Sequence, residues 1–316
     1  MVMEGKRVAF QNNVKPSPIS HLPATKPGIE EATKRALSSL ISSFLWCHFN
    51  TSQLSLIIST ALITMKGGGK LSKTELVQAL NTNIINGSVS VMSSNAEKEG
   101  AVETLADAFK EDPYFVWLAD FQQGTTAADK ERTMIKMNKN LFNVSFHAYP
   151  GQLPLVIKEN NRVVASMNIC PSSNHEESFL KMIMAMFKFG FPPMYKPKEK
   201  KNFGPNSIKR LEAYSLLEKR RKVHMKCTKR WIYLQSIGVR SGQRGKGHGK
   251  KLLTILFDAA DALKVPVYLE TESKSNEDMY KYFGFKTIEE LDLIASKDES
   301  PTARLKMYLM KRDSSK

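Results

Sequence analysis

The stretch QSIGVRSGQRGKGHGKKLLTILFDAADAL, residues 235–263, decides the fold. Gly242, Gly245, Gly247 and Gly249 crowd into one short turn among Arg and Lys. The apolar run Ile237-Gly238-Val239 comes just before it and a helical pattern straight after. A strand that feeds a glycine-rich turn opening a helix is a ready anion site. The glycines let backbone N–H groups approach a ligand closely, and the helix N-terminus adds partial positive charge. Two nucleotide patterns fail here. A Walker loop needs a glycine five residues before Gly249-Lys250, where Arg244 stands, and Lys251 follows instead of Ser or Thr. A dinucleotide fingerprint starting at Gly245 and Gly247 needs a third glycine at position 250, which is Lys, and no parallel βαβ array surrounds it.

The chain has 316 residues, 41% of them hydrophobic, which suits one or two globular domains. Its net charge of +16 favours anionic partners without choosing among phosphorylated cofactors, nucleic acid and membrane surface. Cys47, Cys170 and Cys227 form no CxxC pair, so neither a disulfide framework nor a zinc site is supported, and a reducing compartment is the better reading. The first 74 residues hold nine Lys/Arg against three acids, and no charged residue falls between Ala36 and Met65. That composition fits a targeting leader, a membrane segment at 36–65 broken by His48, Asn50 and Gln53, or a disordered extension. Residues 1–84 are therefore set apart, and the folded domain is expected over 85–316.

Within it, 88–92 predicts a strand, 97–109 a helix, 112–121 (DPYFVWLADF) an aromatic loop or short turn, and 128–148 a helix. LPLVIKENNRVVASMNIC reads as a hairpin. Residues 175–230 look inserted: a Met-rich apolar helix with Met182, Ile183, Met186 and Phe187, a Pro-rich stretch, and a second helix to about His224. From Lys196 to Arg230 there are thirteen Lys/Arg and three acids, a solvated cationic face or a patch for an acidic partner. The strand WIYLQSIGV, the glycine turn, a helix, the strand VPVYLET, the short helix in SNEDMYKYFGF and two final strands complete the chain.

Arg244, Gly247 and Gly249 spell R-x-x-G-x-G. With its strand–turn–helix setting and the later Asn276, Tyr280 and Gly284-Phe285, this resembles the acetyl-CoA signature of the GNAT N-acetyltransferases. Trp231-Ile-Tyr-Leu234, Tyr268-Leu-Glu-Thr271, and Ala108-Phe109 with Asp112-Pro113 and Trp117 are similar to puromycin N-acetyltransferase-like members. The resemblance covers about 85–312 and leaves out the leader and the basic insertion. His248 stands where the family usually has an aliphatic residue, and Ser241-Gly242 replaces a Pro-containing turn.

The resemblance implies an α/β fold of α+β type: a mixed, mostly antiparallel sheet of six to seven strands flanked by helices, with two central strands splayed. It implies acetyl-CoA as co-substrate, no metal, and direct transfer to a small-molecule primary amine in a ternary complex. The backbone of Ile237, Gly238 and Val239 would pair with the pantetheine arm. Residues 244–250 (Arg244, Gly245, Lys246, Gly247, His248, Gly249, Lys250) would wrap the pyrophosphate, and Asn276 would contact the cofactor arm. Tyr280 matches the tyrosine that protonates the leaving thiolate, with Tyr282 out of register. The base stays open: Glu270 or Glu272, directly or through water, with a salt-bridged structural role for Glu270 equally open and His147 a distant third. Tyr114, Phe115 and Trp117 are expected either to wall the acceptor pocket or to cap a core. A peptide-amine acetyltransferase and a basic module binding nucleic acid or acidic lipid are the competing readings. No RNA-binding aromatic motif or helix-turn-helix supports a nucleic-acid partner. Membrane attachment depends on 36–65 being an anchor. The expected state is a monomer or homodimer, cytoplasmic or organellar after leader removal.

Overall fold

The computed structural model describes residues 69–84, 88–176, 178–196 and 200–315. The segment 36–65 lies outside the described residues. In chain order the elements are α1 (Lys73–Asn83), β1 (Val89–Val91), α2 (Asn95–Ala108), α3 (Pro113–Ala119), α4 (Ala127–Ala148), β2 (Leu153–Glu159), β3 (Arg162–Pro171), α5 (Phe179–Phe189), α6 (Ser207–Ala213), α7 (Ser215–Met225), β4 (Ile232–Val239), α8 (His248–Ala262), β5 (Val267–Thr271), α9 (Lys274–Tyr282), β6 (Lys286–Ile294) and β7 (Arg304–Arg312). Local chemistry starts most of the helices. Ser72, Ser94, Thr126, Ser178 and Ser273 each accept a hydrogen bond from a first-turn N–H, and Glu75 and Glu97 close capping boxes.

The seven strands form one sheet in the order β1-β2-β3-β4-β5-β7-β6, antiparallel throughout except for β4 beside β5. That pair is joined only at Ile232↔Val267 and Tyr233↔Tyr268. Beyond it both strands run on without a partner across the seam, β4 to Val239 and β5 to Thr271. On the far side of β4 the register with β3 slips between Asn168 and Ile169, so Gln235 is an extra residue in the ladder. A bulge of this kind bends the strand that carries it and increases its twist. The bulge sits where β4 peels away from β5, and the seam opens as a wedge.

One sheet face is covered by a core in which Leu252, Leu253 and Leu256 of α8 join Leu76 and Leu80 of α1 and the strand residues Leu155, Met167, Leu234 and Leu269. On the other face Trp117, Leu217, Trp231, Tyr233 and Tyr268 form a second, more aromatic core.

Three expectations change. The leader expected over 1–84 is too long: Leu71, Leu76 and Leu80 are fully buried, so the folded part reaches back at least to residue 69. The DPYFVWLADF segment forms helix α3, because Asp112 caps it through the N–H groups of Tyr114 and Phe115 and Pro113 suits the first helical position. The basic insertion is not simply a solvated face. Arg210 of α6 and Arg221 of α7 are 1% and 2% exposed, and Arg220, His224 and Arg230 contact acids of other segments.

Candidate active site

The glycine turn has the geometry its composition demands. Gly245 and Gly247 both sit at φ +81°, a conformation open to glycine and strained for other residues. Gly247 is also the N-cap of α8 and has no side chain to offer, so the first turn of this 15-residue helix has no side-chain cap. Five other helices have a Ser or Thr there. Nothing lies within 4 Å of where a Cβ would stand at Gly242, Gly245 or Gly247. A bare helix N-terminus thus faces open space, with the partial positive charge that favours an anion.

The turn is anchored to the end of α2. The Ser241 N–H donates to Asp107 Oδ2 at 2.6 Å, Arg244 to the Ala108 carbonyl at 2.9 Å, and Arg240 to Thr104 Oγ1 at 3.2 Å. Gly238 serves the same junction, since a Cβ there would lie 2.7 Å from Ala108 Cβ. Ile237 and Val239 pack toward the α8 core. A Cβ at Gly249 would meet Val239 only at ordinary contact distance, 3.8 Å. Lys250 is exposed, and Lys246 donates to Gln243 Oε1 at 2.6 Å. His248 is 4% exposed, with Nε2 3.3 Å from Glu159 Oε1. It is a packed residue turned to the β2–β3 hairpin.

The open, C-terminal end of the seam also carries titratable groups. Glu272 follows β5 directly, and Asp112 caps α3. Their carboxyls are hydrogen-bonded to each other, and both are raised above the ordinary carboxylate range, burial being the main cause. The Asp112 carboxyl is raised the further, by burial and then by the charge of Glu272, whereas the bond from Asp112 opposes the rise of Glu272. Asp112 Oδ1 also accepts from the Tyr114 and Phe115 N–H groups. Asn276 Nδ2 donates to Glu272 Oε1 at 3.1 Å. Tyr280 of α9 is 7% exposed, and burial together with the nearby charges of Glu272 and Asp112 keeps its phenol protonated well beyond its ordinary range.

Glu270, expected as a base, has Arg221 as its immediate partner, at 3.1 Å. Burial pushes the Glu270 carboxyl up and the guanidinium works against that rise. Arg221 also lies 4.1 Å above the Tyr233 ring. Of the two readings open for Glu270, this is the geometry of a paired structural carboxylate. His147 is engaged elsewhere, with Lys98, the Asn143 carbonyl and the Phe189 ring. Tyr282, at 82% exposed, points away from the core.

The three aromatics of α3 divide. Trp117 is a core residue stacked under Arg210, which also binds its carbonyl at 2.7 Å. Phe115 packs edge-on to Phe109 and against Phe142. Tyr114 alone meets the polar cluster, beside Tyr214 and under the influence of Asp112. Sequence reasoning missed Asp112 as a site residue. Its Asp-Pro pair signals a helix start, and no local signal reveals that Glu272 will meet it. Among the described residues no group of three or more His, Cys, Asp or Glu could hold a metal ion.

Residues 210–285 match the model of the acetyltransferase (GNAT) family. An uncharacterized N-acetyltransferase of Schizosaccharomyces pombe is 26% identical over 186 residues, 58% of this chain and 69% of that protein. The chain is thus similar to the GNAT N-acetyltransferases, over residues 210–285 for the family model and over 186 residues for the fission-yeast protein. The family's general co-substrate is acetyl-CoA. Among solved structures it is similar to a Drosophila melanogaster polyamine N-acetyltransferase, at 18% identity over 71% of this chain and 99% of that one, TM-score 0.41. An arylalkylamine N-acetyltransferase 2 from Aedes aegypti is 14% identical over 72% and 99%, TM-score 0.42. Likenesses this distant say nothing about the acceptor.

Proposed function

We propose that this chain binds acetyl-CoA in the β4–β5 wedge and transfers its acetyl group directly to the primary amine of a small molecule. The observation that carries the reading is the uncapped N-terminus of α8 at the mouth of that wedge, with Gly245 and Gly247 at positive φ. In this assignment the N–H groups of the turn 244–250 take the pyrophosphate, with Arg244 and Lys250 adding exposed positive charge. The Ile237–Val239 stretch is paired with β3 on one side only, so its backbone facing the seam offers the donors and acceptors that an extended pantetheine arm requires and polarises the thioester carbonyl. His248 has no direct part, because Glu159 and the core enclose it.

Transfer to an amine needs a group that removes the amine proton and one that protonates the departing thiolate. Glu272, the less strongly raised member of the carboxyl pair, is assigned the first task, and Tyr280 the second. Glu270 holds Arg221 and with it the floor of the aromatic cluster. Tyr114 and Tyr214, next to Asp112, are assigned to the acceptor side. Asn276 positions Glu272 and so acts through it.

Calorimetric titration of the full chain with acetyl-CoA tests the reading, with Gly247→Trp as the blocked variant and a thermal melt as control for folding. Micromolar binding by the wild type and none by a folded variant is the expected result. Thiol release with a panel of small amines, set against peptide amines, then assigns the acceptor class. No binding by well-folded wild type removes the acetyl-transfer reading.

A further inference from the structure

Helix α5 (Phe179–Phe189) is an 11-residue helix with two unlike faces. Its inner face is held down. Ala185 is buried and Met182 packs against the aromatic core. Asn140 of α4 donates to the Phe189 and Gly190 carbonyls, satisfying the helix end. The outer face carries Leu180, Met184 and Phe187 at 69%, 63% and 78% exposure. The spacing i, i+4, i+7 sets them in one ridge along the helix. The Phe187 ring meets Phe191 at 6.3 Å, which prolongs the ridge past the helix end.

Lysines rim this ridge. Lys181 and Lys188 are exposed on its border. At the helix C-terminus the ammonium groups of Lys98 and Lys188 stand 5.7 and 5.3 Å from the Phe189 ring centroid. Lys196 Nζ lies 3.2 Å from where a Gly190 Cβ would be. The pKa of Lys98 is depressed, by burial first and then by the charge of Lys188.

We infer that α5 is a docking surface for an anionic lipid bilayer, lying in the interface plane with Leu180, Met184 and Phe187 among the acyl chains and the lysines at the headgroups. An apolar ridge bordered by cations is what such a surface requires, and the chain's +16 charge favours the approach. A second copy is the weaker occupant. Isologous pairing would bring lysine rim against lysine rim. One face of a helix about 16 Å long also falls far short of the roughly 800 Å² per partner of a stable interface. Crossing the bilayer is excluded for α5, since a span needs about 20 residues, and among the described residues no helix is long and apolar enough to cross a membrane.

The test is co-sedimentation of the full chain with vesicles of phosphatidylcholine and phosphatidylserine in equal parts, and with phosphatidylcholine alone. Binding to the mixed vesicles only, weakening with salt, is expected. The combined variant Leu180→Ser, Met184→Ser, Phe187→Ser should lose about tenfold or more in partitioning, because it removes most of the inserted apolar area. Its melting temperature should stay close to wild type, because the three side chains are exposed. Lys181→Glu with Lys188→Glu should lose binding comparably, because it reverses the electrostatic attraction. No binding to mixed vesicles overturns the proposal. So does binding that the serine variant leaves unchanged, which would place the contact elsewhere on the basic surface. Dimerisation in sedimentation velocity that the serine variant abolishes would make a second copy the occupant and overturn it equally.

Discussion

The carboxyl of Asp112, at the start of α3, meets the carboxyl of Glu272, just past the end of β5, and burial raises both above the ordinary carboxylate range. Two buried carboxyls in contact titrate as a pair, and their apparent values belong to both.

The pair predicts an asymmetry between substitutions. Glu272→Gln should lower kcat/KM by about a hundredfold or more, the usual worth of a general base. Glu270→Gln should act mainly on stability. Asp112→Ala removes the donor that holds Glu272 down, so the acidic limb of the kcat/KM profile should move to higher pH. Asp112→Asn keeps both the cap and a donor, so its limb should stay close to wild type. pH–rate profiles of the four enzymes separate these outcomes.

The same pair sets a stability trend. The Asp112 carboxyl is raised in the folded protein, so the folded state holds a proton that the unfolded chain releases above about pH 4. The stability tied to that proton is fully present below the unfolded value and is lost as pH rises through the folded one. Asp112→Asn should therefore gain on wild type in melting temperature between pH 4 and pH 8, and the gain should vanish toward pH 3.

Tyr280→Phe should lower kcat while leaving the calorimetric affinity for acetyl-CoA near wild type, because the hydroxyl is assigned to the leaving thiolate rather than to binding. The deficit should shrink with a thioester whose thiol is more acidic.

Arg221 and Glu270 form a buried ion pair, so breaking it from one side is costly. Arg221→Met should destabilise the protein by about 3–5 kcal/mol, because it leaves Glu270 uncompensated. Adding Glu270→Gln should recover part of that loss, a coupling that denaturant unfolding of the double-mutant cycle measures.

Two glycines of one segment should behave oppositely. Gly238→Ala would place a Cβ 2.7 Å from Ala108 Cβ and should cost about 1–3 kcal/mol through overpacking of α2 on β4. Gly242 has open space around it and no positive φ, so Gly242→Ala should be close to neutral. Thermal melts of the two variants check this.

Strand, glycine turn and helix were legible in residues 235–263 because each rests on local chemistry: apolar alternation, backbone freedom and helical spacing. Asn276 and Tyr280 were legible by their register with Gly284-Phe285. Residues 69–84 were misjudged because the basic, acid-poor composition around them masked the buried Leu76 and Leu80. Charge counting failed likewise in the insertion, since Arg210 and Arg221 count with the surface lysines until their acids, Asp298 and Glu270, are seen beside them.

The sequence by itself determined the resemblance to the GNAT N-acetyltransferases, the order of elements and the glycine turn, all of which depend on residues close together along the chain. Only the tertiary structure decided which carboxyl is paired with Arg221 and which meets Asp112, that Trp117 is core while Tyr114 meets the polar cluster, and that α5 keeps an apolar ridge outside. Those outcomes turn on burial and on distances between remote segments. Desolvation and Coulomb interactions act through space, so identical carboxyls two residues apart at one strand end acquire different chemistry from the elements that fold against them.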